Sequence, residues 1–363
     1  MSGAIRGFVH SPAAWIEASG RGQVTVREPA SLVRCPAPPH VNSAKLAALA
    51  TYLAPPARVC AVRGGLVLGD QGAAAAPEGL VFLSTLFRPA RPAFAHPAWR
   101  VRPTGPARRI EGRAGLLTHH GGSNISHVLA DGLPRLWLLL QQKPAPDVFV
   151  LSAEAPPWRD ELFERAGLPL DRCVFIGPNE AIEADDLLLP EPTGFALGLA
   201  PWAPEAVRRL LDVPPRPPLG RRVWISRARA VGRRWIHEAG AAPELRRRGF
   251  DLICLETLPL REQLAVMSEA EVIAGPHGAG LAWTLASRPG GMLFELASPE
   301  HVHNDYRALA HVGGWTYGRT PAGPAPVSER EGDPRDVELA VEPAVLFESL
   351  DRALAALATG VAG

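Results

Sequence analysis

A glycine-rich turn in the second half of the chain carries the residues best suited to bind an anionic ligand. It lies within Ile273-Ala-Gly-Pro-His-Gly-Ala-Gly-Leu281, between an apolar stretch that predicts a buried strand and one that predicts a helix. The small residues Gly278, Ala279 and Gly280 would let a phosphate approach backbone N–H groups at the positive end of a helix. The same pattern also suits a simple strand-to-helix connection in which His277 is a hydrogen-bonded polar residue. The glycines do not match the dinucleotide fingerprint, and no lysine follows as in a P-loop.

Charged residues at the predicted strand ends of this half could contact the same ligand. Arg227 follows a predicted strand, and Arg233 and Arg234 precede a predicted helix, where guanidinium groups could clamp a diphosphate. Glu295 lies near the end of another predicted strand, a position from which a carboxylate commonly holds ribose hydroxyls. Arginine is abundant in this chain, so surface arginines and an ordinary Glu–Arg pair are the simple alternatives.

A second polar group lies far upstream, between Gly121 and Arg135. His127 and Asp131 are four residues apart, so a helix would place them on one face, where Asp131 could orient the imidazole. Either side chain could take a proton from a hydroxyl, as a general base does. Asn124 could cap the helix or hold a ligand hydroxyl. A His–Asp pair on a helix is also compatible with a structural role alone.

The strands and helices that must position these residues predict an α/β protein. Strands are predicted at 58–63, 66–68, 80–83, 147–152, 173–176, 222–226, 250–255, 271–274 and 291–296, and helices at 124–142, 158–166, 235–248, 260–270 and 343–357. The alternation in the second half predicts a doubly wound, Rossmann-like parallel sheet. Pro134 and Pro243 predict a kink or a restart within their helices.

Length favours two domains, since 363 residues exceed the usual size of one core. The segment 201–220 contains six prolines and is the predicted linker. We therefore expect an N-terminal domain at 1–212, a Rossmann-like domain at 213–335 and a C-terminal helix at 336–363.

Composition excludes several classes of protein. A net charge of +1 argues against a general nucleic-acid or membrane-surface binder. The four cysteines are scattered without metal-ligand spacing, as expected of reduced thiols. No signal peptide or membrane-spanning stretch is recognisable, which predicts a cytoplasmic protein without an integral membrane segment. Oligomeric state stays open.

Taken together, these motifs resemble glycosyltransferase family 61. The resemblance covers roughly residues 55–320. Its matching stretches are Asn124 to Arg135, Ile225-Ser226-Arg227, Arg233-Arg234, His237-Glu238, Leu258 to Gln263, Gly275 to Leu281 and Phe294-Glu295-Leu296, in the family's order. Two positions depart from the family: His237 stands where an asparagine is usual, and Ala282-Trp283 where Thr-Asn is frequent.

The resemblance implies a GT-B fold, with two Rossmann-like domains facing each other across a cleft. It also implies an inverting transfer of a sugar from a nucleotide-sugar donor to a carbohydrate acceptor. The domain at 213–335 would bind the nucleotide sugar, and the acceptor would approach from the domain at 1–212. It implies Asp131 or His127 as the catalytic base. Residues that would bind substrate are Asn124, Arg227, Arg233, Arg234, His277, Gly278, Ala279, Gly280 and Glu295. No Asp-x-Asp pair ends a predicted strand, so neither a metal nor another cofactor is expected. The family's bacterial members suggest surface or capsular polysaccharide synthesis.

Two other functions stay open. A non-catalytic sugar-nucleotide sensor or scaffold would keep the second-half pocket without turnover, and the two departures leave room for it. A nicotinamide-dependent oxidoreductase is suggested by the Rossmann-like alternation, but the missing glycine fingerprint argues against it.

Overall fold

The computed structural model describes residues 5–35, 50–86, 101, 103–195, 198–214, 220–297, 305–321, 323–324 and 337–359. The chain divides into two compact units, residues 1–31 with 54–194 and residues 32–53 with 195–363. Helices and parallel strands occur in both units, so the predicted α/β class is confirmed. The division at residues 212 and 213 and the GT-B arrangement stay predictions. In the described part of the chain, no helix has the length and apolarity that crossing a bilayer requires.

The first unit is built on a mixed ten-stranded sheet. The strands up to residue 190 are, in chain order, β1 (Gly7–Val9), β2 (Gly22–Glu28), β3 (Ser31–Arg34), β4 (Thr51–Ala54), β5 (Ala57–Arg63), β6 (Leu66–Leu68), β7 (Ala73–Ala75), β8 (Leu80–Phe82), β9 (Arg108–Leu116), β10 (Val148–Ser152), β11 (Cys173–Ile176) and β12 (Ala181–Pro190). Strands β3 and β4 pair as a separate ribbon that falls mostly in the second unit. The sheet order is β1-β8-β7-β6-β12-β9-β10-β11, and β5 pairs with β12 and with β2. Strands β12, β9, β10 and β11 are parallel neighbours, so their carboxyl ends share one edge.

The helical segments of this unit lie between its strands along the chain. They are α1 (Pro12–Ser19), α2 (Ile125–His127), a π-helical turn (Val128–Gly132), α3 (Leu133–Leu140) and α4 (Pro157–Arg165). The π-helical turn lies where the sequence predicts a kink from Pro134. A proline ring collides with the carbonyl group four residues earlier in a regular α-helix, and the wider π turn relieves that collision.

The second unit contains a parallel five-stranded sheet, as the alternation predicts. Its elements are α5 (Trp202–Leu210), β13 (Arg221–Ile225), α6 (Glu238–Arg247), β14 (Phe250–Ile253), α7 (Leu260–Glu269), β15 (Ala270–Pro276), β16 (Met292–Ala297), α8 (Asp305–Val312), β17 (Thr316–Pro321), β18 (Gly323–Pro324), β19 (Leu339–Ala340) and α9 (Pro343–Thr359). The order β14-β13-β15-β16-β17 is that of a doubly wound sheet. The chain first adds β14 on one side of β13 and then adds β15 on the other.

Two proline-based expectations are wrong. The predicted linker begins with helix α5, because Pro201 and Pro204 lie at its cap and first turn, where missing N–H groups break no helical bond. The densest prolines of that segment lie largely outside the described residues. Helix α6 runs through Pro243 without a break. The carbonyl group deprived of its partner belongs to Ala239, a residue that is exposed to water.

Helix α9 supplies a direct test of the packing of the second unit. Leu350 is fully buried in its core, whereas Val345 on the same helix is 51% exposed. We expect Leu350→Ala to lower the free energy of unfolding by about 2–5 kcal/mol through a lost apolar contact and a residual cavity. Val345→Ala, the matched control, should change it by less than about 0.5 kcal/mol. Denaturant unfolding of both variants measures this, and equal losses would place α9 outside the core.

Candidate functional site

The second unit brings two of the predicted motifs together at one point of its sheet. Open parallel sheets bind ligands beyond the carboxyl ends of their strands, where the strand order reverses. In this sheet that point lies between β13 and β15. Arg227 follows β13, and the turn with His277 and Gly278 follows β15. The topology therefore places the arginine and the glycine-rich turn side by side.

Arg227 lies directly against the backbone of that turn. Its Nε and Nη2 atoms donate hydrogen bonds to the carbonyl oxygen of Gly232 over 3.1 and 2.9 Å. A side-chain carbon at position 278 would collide with its Nη1 atom, so Gly278 makes room for the guanidinium group. Arg227 is half-buried, which keeps its charge next to the turn. An arginine beside a glycine-rich turn is a residue that can bind a phosphate. Phosphate binding by Arg227 stays a prediction.

Glu238 holds the loop that carries Arg227. This carboxylate is buried and accepts hydrogen bonds from Nε1 of Trp224, over 2.9 Å, and from the hydroxyl group of Ser226. The Ser226 oxygen in turn accepts from the N–H of Ala228 over 3.2 Å. Sequence reasoning noted Glu238 within a motif but gave it no role. Its neighbour His237 is the N-cap residue of α6, with its ring 3.8 Å from Glu342.

The other two predicted arginines have different surroundings. Arg234 is bound to Glu338 through its backbone N–H at 3.0 Å and its guanidinium group at 2.7 Å. The ion pair with Glu338 uses the Nε and Nη2 donors of its guanidinium group. Arg233 is half-buried in a left-handed conformation, with φ of 57°. Their roles in binding stay predictions.

The helix after the turn differs from the expected α-helix. Residues Ala279–Ala286 form a 3-10 helix whose residues from Leu281 onward are buried, so tertiary packing determines its geometry. Ala279 and Gly280 open it, and a side-chain carbon at 280 would meet the Leu255 side chain at 2.8 Å. Gly280 is thus required for packing against Leu255. Ala282 and Trp283, the departure from the family pattern, are fully buried.

His277 and Glu295 form a buried pair beside this site. The backbone N–H of His277 donates to the carbonyl oxygen of Leu296 over 2.7 Å, and Nδ1 of its ring contacts Oε1 of Glu295. The second carboxylate oxygen of Glu295 accepts from the hydroxyl group of Tyr317. Arg319 lies opposite Glu295 in the register of β16 and β17. Both oxygens of Glu295 therefore have protein partners, so the ribose contact expected of this residue stays a prediction.

The surroundings keep Glu295 ionised. Burial alone would raise its pKa, but His277, Arg319 and the Tyr317 hydroxyl group together lower it to about 2. The pKa of Tyr317 is raised well above its ordinary value by burial and by the charge of Glu295. The pair is a buried carboxylate compensated by several donors, as burial of a charge demands.

In the first unit, Asp131 is held by partners that sequence reasoning did not foresee. It lies in the π-helical turn, and its Oδ2 accepts from Arg135 at 3.0 and 2.9 Å. Its Oδ1 accepts from the N–H of Thr193 at 2.9 Å. Burial would raise the pKa of Asp131, but Arg135, His119 and the Thr193 bond lower it. Asp131 is therefore a held, ionised carboxylate, and its expected action on His127 operates through charge.

His127 lies in a cluster of histidines at the carboxyl end of β9. The centroid of its ring is 6.3 Å from that of His120. The ring also lies against Gly121, which has a φ of 78°, and a side-chain carbon at position 121 would collide with it. Burial and the proximity of His119 lower the pKa of His127 to about 4, and Asp131 opposes this. The ring is thus neutral at neutral pH and able to accept a proton.

His119 is the residue of this cluster that the sequence analysis missed. It is buried, and its Nδ1–H donates to the carbonyl oxygen of Leu117 over 2.9 Å. Burial lowers its pKa, as it does for His127. His119 follows strand β9, and the sequence analysis predicts no strand at residues 108–116. Asn124 takes the capping role, one of its two alternatives, by accepting from the N–H of Ser126 over 3.0 Å.

No group of three or more His, Cys, Asp or Glu side chains is arranged to hold a metal within the described ranges. The expected independence of a metal stays a prediction.

The neutral state of His127 makes stability depend on pH. The pKa of His127 is 6.5 in the unfolded chain and about 4 in the folded protein. Between these pH values the unfolded chain binds a proton at this histidine and the folded protein does not. Stability is therefore lost as the pH falls through that window, by up to about 3 kcal/mol for this group, since one pKa unit corresponds to about 1.4 kcal/mol. We expect His127→Gln to lose correspondingly less stability over the same window in denaturant unfolding. The exposed His10→Gln is the control, and identical slopes in wild type and His127→Gln would contradict the burial of a neutral ring.

One comparison with known proteins finds a family match that overlaps these residues. No curated protein matches the chain. The family model described as Glycosyltransferase 61 matches residues 125–293, a range that contains His127, Asp131, Arg227 and His277. His119 and Glu295 lie outside the matched range. The match covers just under half of the chain, so residues 125–293 are similar to the glycosyltransferase 61 family.

Proposed function

We propose that the protein is an inverting glycosyltransferase that moves a sugar from a nucleotide-sugar donor to a carbohydrate acceptor. The family supports glycosyl transfer. The observation that carries the proposal is the guanidinium group of Arg227 packed against Gly278 at the point where the strand order of the second unit reverses. The donor, the acceptor and inversion of the anomeric carbon are parts of the proposal.

In this proposal the second unit binds the diphosphate of the donor. Arg227 and the N–H groups that open the 3-10 helix at Ala279 supply positive charge there. When the bond between the sugar carbon and the phosphate oxygen breaks, its electron pair stays on the diphosphate. A positive site that exists before the reaction stabilises that charge without reorganising, which lowers the barrier.

The first unit supplies the proton acceptor. The oxygen of the acceptor hydroxyl group bonds to the sugar carbon, and its proton passes to the neutral ring of His127. Both oxygens of Asp131 already accept hydrogen bonds from Arg135 and Thr193. That geometry favours His127 as the base, with Asp131 stabilising by its charge the imidazolium that forms.

A binding protein without turnover is the second candidate. The full set of partners around Asp131 and the low pKa of His127 both favour it, because each weakens the corresponding group as a base. Hydrolysis of the donor in the absence of an acceptor would exclude it. A role in surface or capsular polysaccharide synthesis, a cytoplasmic location and independence of a metal are expectations from the sequence and complete the proposal.

Nucleotide binding is the first prediction of the proposal. A nucleoside diphosphate or its sugar conjugate at about a hundred times its dissociation constant should stabilise the protein by about 2.7 kcal/mol in a thermal-shift screen with EDTA present. Arg227→Ala should weaken that binding about tenfold or more, because it removes a charged partner of the diphosphate.

Arg229→Ala is the control, since Arg229 is an exposed arginine of the same loop. A response to nicotinamide cofactors alone, or equal affinities in wild type and Arg227→Ala, would overturn the donor-site assignment.

Turnover is the second prediction. His127→Ala should lower kcat about a hundredfold or more, within the range that general bases contribute. Asp131→Asn should also lower kcat severely, because the imidazolium of His127 loses its compensating charge. Donor affinity should stay near that of wild type in both variants. Unchanged turnover in both, measured by radiolabelled sugar transfer, would remove this pair from catalysis.

A further inference from the structure

We propose that Thr193 is a positioning residue, which holds the π-helical turn so that Asp131 stays close to His127. This rests on the proposed function, because Asp131 and His127 form its catalytic pair. Thr193 acts through Asp131 and is assigned no contact with the donor or the acceptor.

The π-helical turn contains a buried carbonyl group that needs a donor. In a regular α-helix the carbonyl oxygen of Ala130 would accept from the N–H of residue 134, but Pro134 has none. Ala130 is fully buried, so bulk water does not supply the missing hydrogen bond. A buried carbonyl group without a partner destabilises the fold, so a donor must come from elsewhere in the protein.

Thr193 is that donor. Its hydroxyl group donates to the carbonyl oxygen of Ala130 over 2.8 Å, and its backbone N–H donates to Oδ1 of Asp131 over 2.9 Å. The hydroxyl oxygen also lies 3.3 Å from the same Oδ1. A hydroxyl group has one hydrogen, and we assign it to the shorter contact. One residue therefore binds both the backbone of the turn and the carboxylate that the turn carries.

Thr193 is itself fixed to the sheet. It is fully buried and follows β12, a strand that is paired on both sides. Two residues earlier, the side chain of Glu191 accepts from Nε of Arg58 over 2.7 Å, and the N–H of Glu191 donates to the carbonyl oxygen of Arg58 over 2.9 Å. The segment with Thr193 is therefore anchored to β5, and the turn is held to a fixed point.

The other partner of Asp131 does not fix it to the sheet. Arg135 binds Oδ2 from the helix that follows the turn, so it moves with Asp131, whereas Thr193 lies 62 residues away in the chain. The ring of His127 lies against Gly121 in the loop after β9. Strands β9 and β12 are parallel neighbours, so the segments after their carboxyl ends hold the two members of the pair at one edge of the sheet.

The first test is turnover. Sugar release from a panel of uridine, guanosine and thymidine diphosphate sugars, with water as the acceptor, measures kcat and the KM of each donor. We expect Thr193→Val, which keeps the shape but removes the hydroxyl group, to lower kcat about tenfold or more by misplacing Asp131. Thr193→Ser, which keeps the hydroxyl group, should turn over nearly as fast as wild type. The donor KM should stay near that of wild type in both variants, because the donor is assigned to the second unit.

Val62→Ala is the control for general destabilisation, because Val62 is fully buried in the core of the same unit. It should lower the midpoint of denaturant unfolding and keep the kcat of wild type at temperatures well below unfolding. An unchanged kcat in Thr193→Val would overturn the inference, since Thr193 would then be structural alone. Equal losses of kcat in Thr193→Val and in either Thr193→Ser or Val62→Ala would overturn it as well.

The second test needs no turnover. Pro134→Ala supplies an N–H group for the carbonyl oxygen of Ala130, so the hydroxyl group of Thr193 should matter less in that background. We expect Thr193→Val to lower the midpoint of denaturant unfolding less in Pro134→Ala than in wild type, and equal shifts would overturn the inference. If wild type releases sugar from none of the donors, the proposed function fails and takes the catalytic role of Thr193 with it. The coupling with Pro134 still decides whether Thr193 holds the turn.

Discussion

The close approach of Arg227 to the backbone at Gly278 is the constraint on which the candidate donor site depends. It requires a residue without a side-chain carbon at 278 and a loop after β13 that aims the guanidinium group at the neighbouring turn. Glu238 provides the second condition through Ser226. The reversal of strand order between β13 and β15 brings the two loops together. The contact of Arg227 with Gly278 therefore depends on the topology of the sheet, the geometry of the loop after β13 and the small size of the residue at 278.

Two buried carboxylates of the second unit hold residues of the candidate site in place. Glu238 holds the loop after β13, and Glu295 holds the histidine after β15. Each accepts at least two hydrogen bonds, because a buried negative charge with fewer partners would destabilise the fold. The same interactions that satisfy these charges restrict the side chains around them, so the stability of the fold and the order of the site come from the same contacts.

The first unit also holds a carboxylate through several donors. Asp131 is bound on both oxygens, and the nearby rings of His119 and His127 are kept neutral by burial. The π-helical turn before Pro134 places Asp131 and His127 in a geometry that a regular helix would not give. Wider turns of this kind are frequent at functional sites because they re-aim side chains that a regular helix would direct elsewhere.

The sequence by itself determined the α/β class, the parallel sheet of the second unit and the match to the glycosyltransferase 61 model, because hydrophobic periodicity and short motifs are local properties. It missed β9 and β12, whose pairing occupies the middle of the first sheet, and with them His119 and Thr193. It also could not name the donors that bind Asp131 and Glu295. Only the tertiary structure showed which donors surround each one, because those partners come from elements distant in the chain, and local spacing carries no information about them.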